Sequence, residues 1–81
     1  MPKTYYGKYG IEVRTNEHNH KGQKAHVHVY IHGVEVGAFF LDGQLMVGNV
    51  KRKDRIAIEQ LILSNRDEFQ AMWDEFQKSA Y

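Results

Sequence analysis

From Ala25 to His32 the chain reads Ala-His-Val-His-Val-Tyr-Ile-His, eight residues in which apolar and polar side chains alternate without an error. That period belongs to a half-buried strand. Successive side chains leave opposite faces of a sheet, so Val27, Val29 and Ile31 point into a core while His26, His28, Tyr30 and His32 point away from it. Imidazoles and a phenol gathered on one face suit a ligand, a metal or a partner better than bulk water.

The neighbouring turns extend this strand into a register. With His32-Gly33 as a two-residue hairpin turn, Ile31 faces Val34, and counting back pairs Val29 with Val36, Val27 with Ala38 and Ala25 with Phe40. The outer face then pairs Tyr30 with Glu35, His28 with Gly37 and His26 with Phe39. Asp42-Gly43 reads as a second two-residue turn, setting Phe40 against Leu45 and Ala38 against Val47 inside, and Phe39 against Met46 outside. Upstream, the aromatic, glycine-punctuated Tyr5–Gly10 leads into a short strand, Ile11–Arg14. The polar stretch from Thr15 to Lys24 reads as a loop, on which His18 and His20 are expected to be solvated.

After Val47 the period becomes helical. Ile58, Leu61, Ile62 and Asn65, widened by Ile56 and Leu63, predict a helix from about Lys51 to Ser64. Asn65, followed three residues later by Glu68, predicts a capped second helix. Phe69, Met72, Trp73 and Phe76 form one clean stripe on it, read as core packing. The expected fold is α+β: a four-stranded antiparallel meander with two C-terminal helices on one face, and the histidine face left open.

Eighty-one residues make a single domain, 1–81, that buries only about 60–65% of its unfolded surface. With no cysteine to staple it, self-association is an expected substitute. The cysteine-free composition suits the cytoplasm, and no apolar run is long enough to span a bilayer. Eleven Lys and Arg against ten Asp and Glu give a net charge of +1, which argues against a dedicated duplex-DNA binder.

The chain resembles a small bacterial family catalogued as domain of unknown function 4160. The likeness rests on the aromatic start Tyr5–Gly10, the histidine-x-histidine strand (His26, His28), the Asp42-Gly43 turn, a basic helix start and Trp73 in the last helix. Ala25 stands where the family usually has proline. Members are often encoded on mobile elements beside small proteins that look like toxin–antitoxin components, so the resemblance implies a partner and supplies no reaction.

Two sites stand out. His26 and His28 lie about 6.6–6.8 Å apart along one face, near enough to share a metal ion, yet a third ligand such as Glu12 or a group from another protomer would be needed. No metal site is therefore assigned, and metal binding through this pair stays an alternative. The second is Lys51-Arg52-Lys53-Asp54-Arg55, where cations oppose the positive end of the helix dipole and a bound anion would remove the conflict. Gly48-Asn49-Val50 ahead of them is expected to present backbone amides.

No nucleophile elbow, catalytic cysteine or paired carboxylates are present, so the expectation is a protein that is not an enzyme and has no resident cofactor. Its expected ligand is an anion, a nucleotide or nucleotide second messenger, held by His26, His28, Tyr30, Lys51, Arg52 and Lys53 and sequestered in the manner of an anti-defence sponge. His26, Phe39 and Met46 are the expected homo-oligomer or partner interface. The alternative is an antitoxin-like or adaptor protein that binds a small protein through the open sheet face.

Overall fold

The computed structural model describes residues 3–13 and 24–79, with the side chains of 4–13 and 24–75. Arg14, His18, His20 and nearly all of the expected loop lie outside the described residues. Five strands form one antiparallel sheet in chain order: β1 (Lys3–Tyr6), β2 (Tyr9–Glu12), β3 (His26–Ile31), β4 (Val34–Phe40) and β5 (Leu45–Gly48). Two helices follow, α1 (Arg52–Ser64) and α2 (Arg66–Ser79).

The meander has five strands where four are expected, because the aromatic lead-in is itself a hairpin. Tyr6 pairs with Tyr9, Tyr5 with Gly10, and Thr4 with Ile11. Gly7 supplies the positive φ, 63°, that a tight turn between them demands. Tyrosine and threonine favour the extended backbone on either side.

At His32-Gly33 both φ values are positive, 51° and 82°, as a type I′ turn requires. The expected pairs Ile31–Val34 and Tyr30–Glu35 are present. Beyond them the register departs by one residue. Val36 is extruded as a bulge, and Val29 meets Gly37, His28 meets Ala38, Val27 meets Phe39 and His26 meets Phe40. Phe39, expected on the outer face, is therefore fully buried in the core. Phe40 takes the opposite face, half-buried, with the Lys24 ammonium 4.9 Å from its ring centroid.

The second turn also differs from expectation. The Gly43 N–H donates to the Phe40 carbonyl at 3.0 Å and the Phe40 N–H to the Gln44 carbonyl at 2.9 Å. The loop is thus Leu41-Asp42-Gly43, with Gly43 in the left-handed position. Phe39 consequently meets Leu45 instead of Met46, and a further irregularity at Met46 restores the Ala38–Val47 pair. Because Ala38 has changed face, Val47, expected inside, is 61% exposed.

A pair of glycines accommodates the bulge. Gly37 and Gly48 face each other, and a Cβ on Gly48 would sit 2.4 Å from the Val36 carbonyl oxygen. That carbonyl accepts the Asn49 N–H at 3.3 Å, so the extruded residue keeps its acceptor hydrogen-bonded.

Ile11, Val13, Val27, Val29 and Phe39 form the sheet side of the core, and Ile58, Ile62, Phe69 and Trp73 the helix side. The α1 stripe is narrower than expected: Ile56 and Leu63 are each 47% exposed. Asn65 joins the helices differently from a capping box. Its side-chain amide donates back to the Leu61 carbonyl at 2.9 Å, while its own carbonyl accepts the Phe69 N–H at 3.1 Å. Phe69 and Trp73 are buried and Met72 half-buried, as their stripe requires; the Phe76 side chain lies outside the described residues.

The bulge makes a testable distinction between adjacent phenylalanines. Phe39→Ala is expected to cost about 3–5 kcal/mol in urea denaturation, and Phe40→Ala clearly less. Equal losses would contradict the register.

Candidate functional site

The histidine face is not open. Glu12, His28, Ala38 and Val47 form one cross-strand row on it, and Glu12, His26 and Ala38 are buried. The Tyr30 hydroxyl donates to Glu12 Oε1 at 2.8 Å. His28 Nδ1 lies 3.0 Å from Glu35 Oε2, and His26 Nδ1 lies 3.1 Å from the Lys24 carbonyl. Since a carboxylate and a carbonyl can only accept, Nδ1 carries the proton in both rings. The two imidazoles meet edge-on at 5.5 Å, and the Trp73 ring lies 4.9 Å from that of His26.

The residues expected as an interface do not assemble into one. Phe39 is turned inward by the bulge, His26 is buried with its ring against Trp73, and Met46 is left 37% exposed on the edge strand. Among the described residues no three His, Asp or Glu side chains gather as a metal site. Glu12, the third ligand considered, accepts from Tyr30.

At the start of α1, Lys51, Arg52 and Lys53 are exposed, and Lys51 is the N-cap residue without a side-chain capping bond. Asp54 offsets them in the first turn. It accepts the Tyr9 hydroxyl at 2.7 Å and pairs with Lys8 Nζ at 3.4 Å, tying the β1–β2 hairpin to the helix. The Tyr9 hydrogen bond, with Lys8 helping, holds the Asp54 carboxyl below its ordinary 3.8. Burial first, then that same bond to Asp54, pushes the Tyr9 phenol above 10.0. The expected row of outward amides is incomplete, because the Asn49 N–H is engaged by Val36.

Between this helix and β5 lies a recess of about 540 Å³, lined by Gly43, Gln44 and Leu45 on one side and by Arg52, Arg55, Ile56 and Glu59 on the other. The four helix residues stand at i, i+3, i+4 and i+7, one continuous face. Among the described residues no ion pair involves Arg52 or Arg55. Of the expected anion ligands only Arg52 lines it; Lys51 and Lys53 do not, and His26, His28 and Tyr30 are not brought to it. Arg55, named in the basic run at the helix start, lines it as well; Gln44 and Glu59 were not singled out, although the 52/55/56/59 spacing carried the signal for Glu59. Two guanidiniums, a neutral amide, a carboxylate and an apolar wall from Leu45 and Ile56 can together hold an anion attached to a polar, partly flat body.

These features define a small α+β domain: a five-stranded antiparallel meander whose core face is covered by two C-terminal helices. A family model described as Domain of unknown function (DUF4160) matches residues 10–74, and the chain belongs to that family. Comparison with curated proteins and with solved structures returns no match. Among the described residues no helix is long and apolar enough to cross a membrane.

The Asp54 tie gives a pH dependence of fixed sign. A carboxylate whose folded value is lowered stabilises the fold above its unfolded value, and that contribution is lost as pH falls through the folded one. Asp54→Asn should therefore lower the melting temperature at pH 7, with the gap to the parent closing as pH falls below about 3.8. A gap that stays constant down to pH 2.5 would contradict the role given to Asp54.

Proposed function

We propose that the chain is a non-enzymatic binding protein that holds a small anionic molecule, a nucleotide or nucleotide-derived messenger, in the recess between β5 and α1. The carrying observation is the pair Arg52 and Arg55, a helical turn apart on the wall of one recess and without an ion pair among the described residues. Guanidinium forks match phosphate oxygens in geometry and charge. The recess volume, about 540 Å³, falls in the range of small-molecule sites. Gln44 and Glu59 would read the polar edge of a base or sugar, and Leu45 with Ile56 would lie against its flat face. Sequestration in the cytoplasm, rather than turnover, is the action this arrangement supports: it offers recognition groups and no activated nucleophile.

An antitoxin-like or adaptor role through the histidine face has less to draw on, since Phe39 sits in the core and His26 is buried.

The test is a thermal-shift and calorimetric titration with ATP and with a cyclic dinucleotide. A ligand present at a hundredfold its dissociation constant stabilises the fold by about 2.7 kcal/mol. Each charge-assisted hydrogen bond contributes about 1.5–3 kcal/mol, so Arg52→Gln with Arg55→Gln should weaken binding at least about a hundredfold, while Lys51→Gln with Lys53→Gln weakens it far less. Unchanged affinity in the arginine double variant, or no stabilisation by either probe at millimolar concentration, would overturn the reading.

A further inference from the structure

We propose that Glu59 makes the recess selective for guanine nucleotides: its carboxylate accepts the two adjacent donors of the guanine edge, N1–H and the N2 amine, while Arg52 and Arg55 hold the phosphates. The selectivity rests on the anion-binding reading above and names the base. A recess walled by two guanidiniums also carries this carboxylate, although a negative charge there repels an anion. The conflict disappears when the two signs serve different parts of one ligand. Arg52 and Glu59 stand at i and i+7 on one helix face, about 10.5 Å apart along the axis. Phosphates and base edge thus have opposite ends of the recess to occupy.

Glu59 does not spend its charge on the arginines. Arg55 stands one turn before it, yet among the described residues no ion pair joins them. A cation four residues ahead of a carboxylate is also the weaker order on a helix. The Glu59 stem lies instead against the β4–β5 turn: a Cβ added to Gly43 would meet Glu59 Cγ at 2.5 Å and Oε2 at 3.2 Å. That turn gives the carboxylate no backbone donor, because the Gly43 N–H is donated to the Phe40 carbonyl and the Gln44 N–H to Asp42 Oδ1. The two oxygens of Glu59 are left to accept from a ligand.

A carboxylate accepts and does not donate, and it takes two parallel donors best. Guanine presents such a pair, with O6 beside them as an acceptor for the side-chain amide of Gln44, which lines the recess next to Gly43. Adenine sets the lone pair of N1 beside its N6 amine, and cytosine sets that of N3 beside its N4 amine, so each turns one lone pair on the carboxylate. Uracil has one N–H between two carbonyls. Leu45 and Ile56 form the apolar wall against which a purine face lies.

The experiment is a calorimetric titration of the parent and of Glu59→Gln with GTP, ITP and ATP; ITP is GTP without the N2 amine. The parent should bind GTP at least about tenfold tighter than ITP or ATP. Glu59 is exposed on α1, so Glu59→Gln should keep the parent's melting temperature. A glutamine amide both donates and accepts, which suits adenine. In Glu59→Gln the affinity for GTP should therefore fall at least about tenfold, that for ATP should rise, and the gap between GTP and ITP should close. A merely solvated charge predicts otherwise: its removal strengthens all three triphosphates alike, and that result overturns the proposal. A preference for GTP that survives Glu59→Gln overturns it as well. Equal affinity of the parent for GTP and ATP overturns the selectivity and leaves the anion-binding reading standing, whereas binding of none of the three at millimolar concentration overturns both.

Discussion

A strand with one residue more than its neighbour must extrude it, and in β4 that residue is Val36. Everything on the helix side of the sheet follows from this insertion. It turns Phe39 inward opposite Val27, where its ring joins Ile58, Ile62 and Phe69, and a buried aromatic of that size dominates a small core. It turns Ala38 outward beneath the histidine row. It also draws β4 against β5 at Gly37 and Gly48, a contact that tolerates no Cβ on either side, and so sets the line along which the chain leaves the sheet for α1.

The electrostatics of α1 depend on that exit. Cations around a helix N-terminus meet the positive end of its dipole, and Asp54 is the carboxylate in the first turn to offset them. By accepting from Tyr9 and pairing with Lys8 it also fastens the N-terminal hairpin, on the far side of the sheet, to the same turn. Asp54 is committed to that task, and Arg52 and Arg55 are left facing the recess. The charge that ties the fold together and the charge that lines the recess are thus divided within one turn of helix.

Much of the fold was legible because the alternation from Ala25 to His32 and the stripe at Phe69, Met72 and Trp73 are periodic over long windows, and periodicity survives small errors of register. The bulge was not, because an ungapped count from a correct turn at His32-Gly33 carries no internal warning. The isolated Gly37 was the available signal, since a glycine inside a strand pattern marks a bulge or a close backbone approach. One misplaced residue exchanged Phe39 with Phe40 and moved Val47 to the surface, and the interface expected from Phe39 went with them. The site was half legible: the basic helix start is visible as composition, but the separation of Arg52 and Arg55 from Lys51 and Lys53 depends on helical phase, and the contribution of Gln44 depends on how β5 lies beside α1.

The account rests most directly on the pairing of β3 with β4, and cross-strand contacts between backbone protons, read by NMR, measure it without altering the chain. The bulged register predicts that Val27 and Phe39 lie directly opposite, with the Phe39 ring showing further contacts to Ile58 and Ile62. A spectrum that instead sets Val27 opposite Ala38, with the Phe39 ring free of the helices, would contradict it.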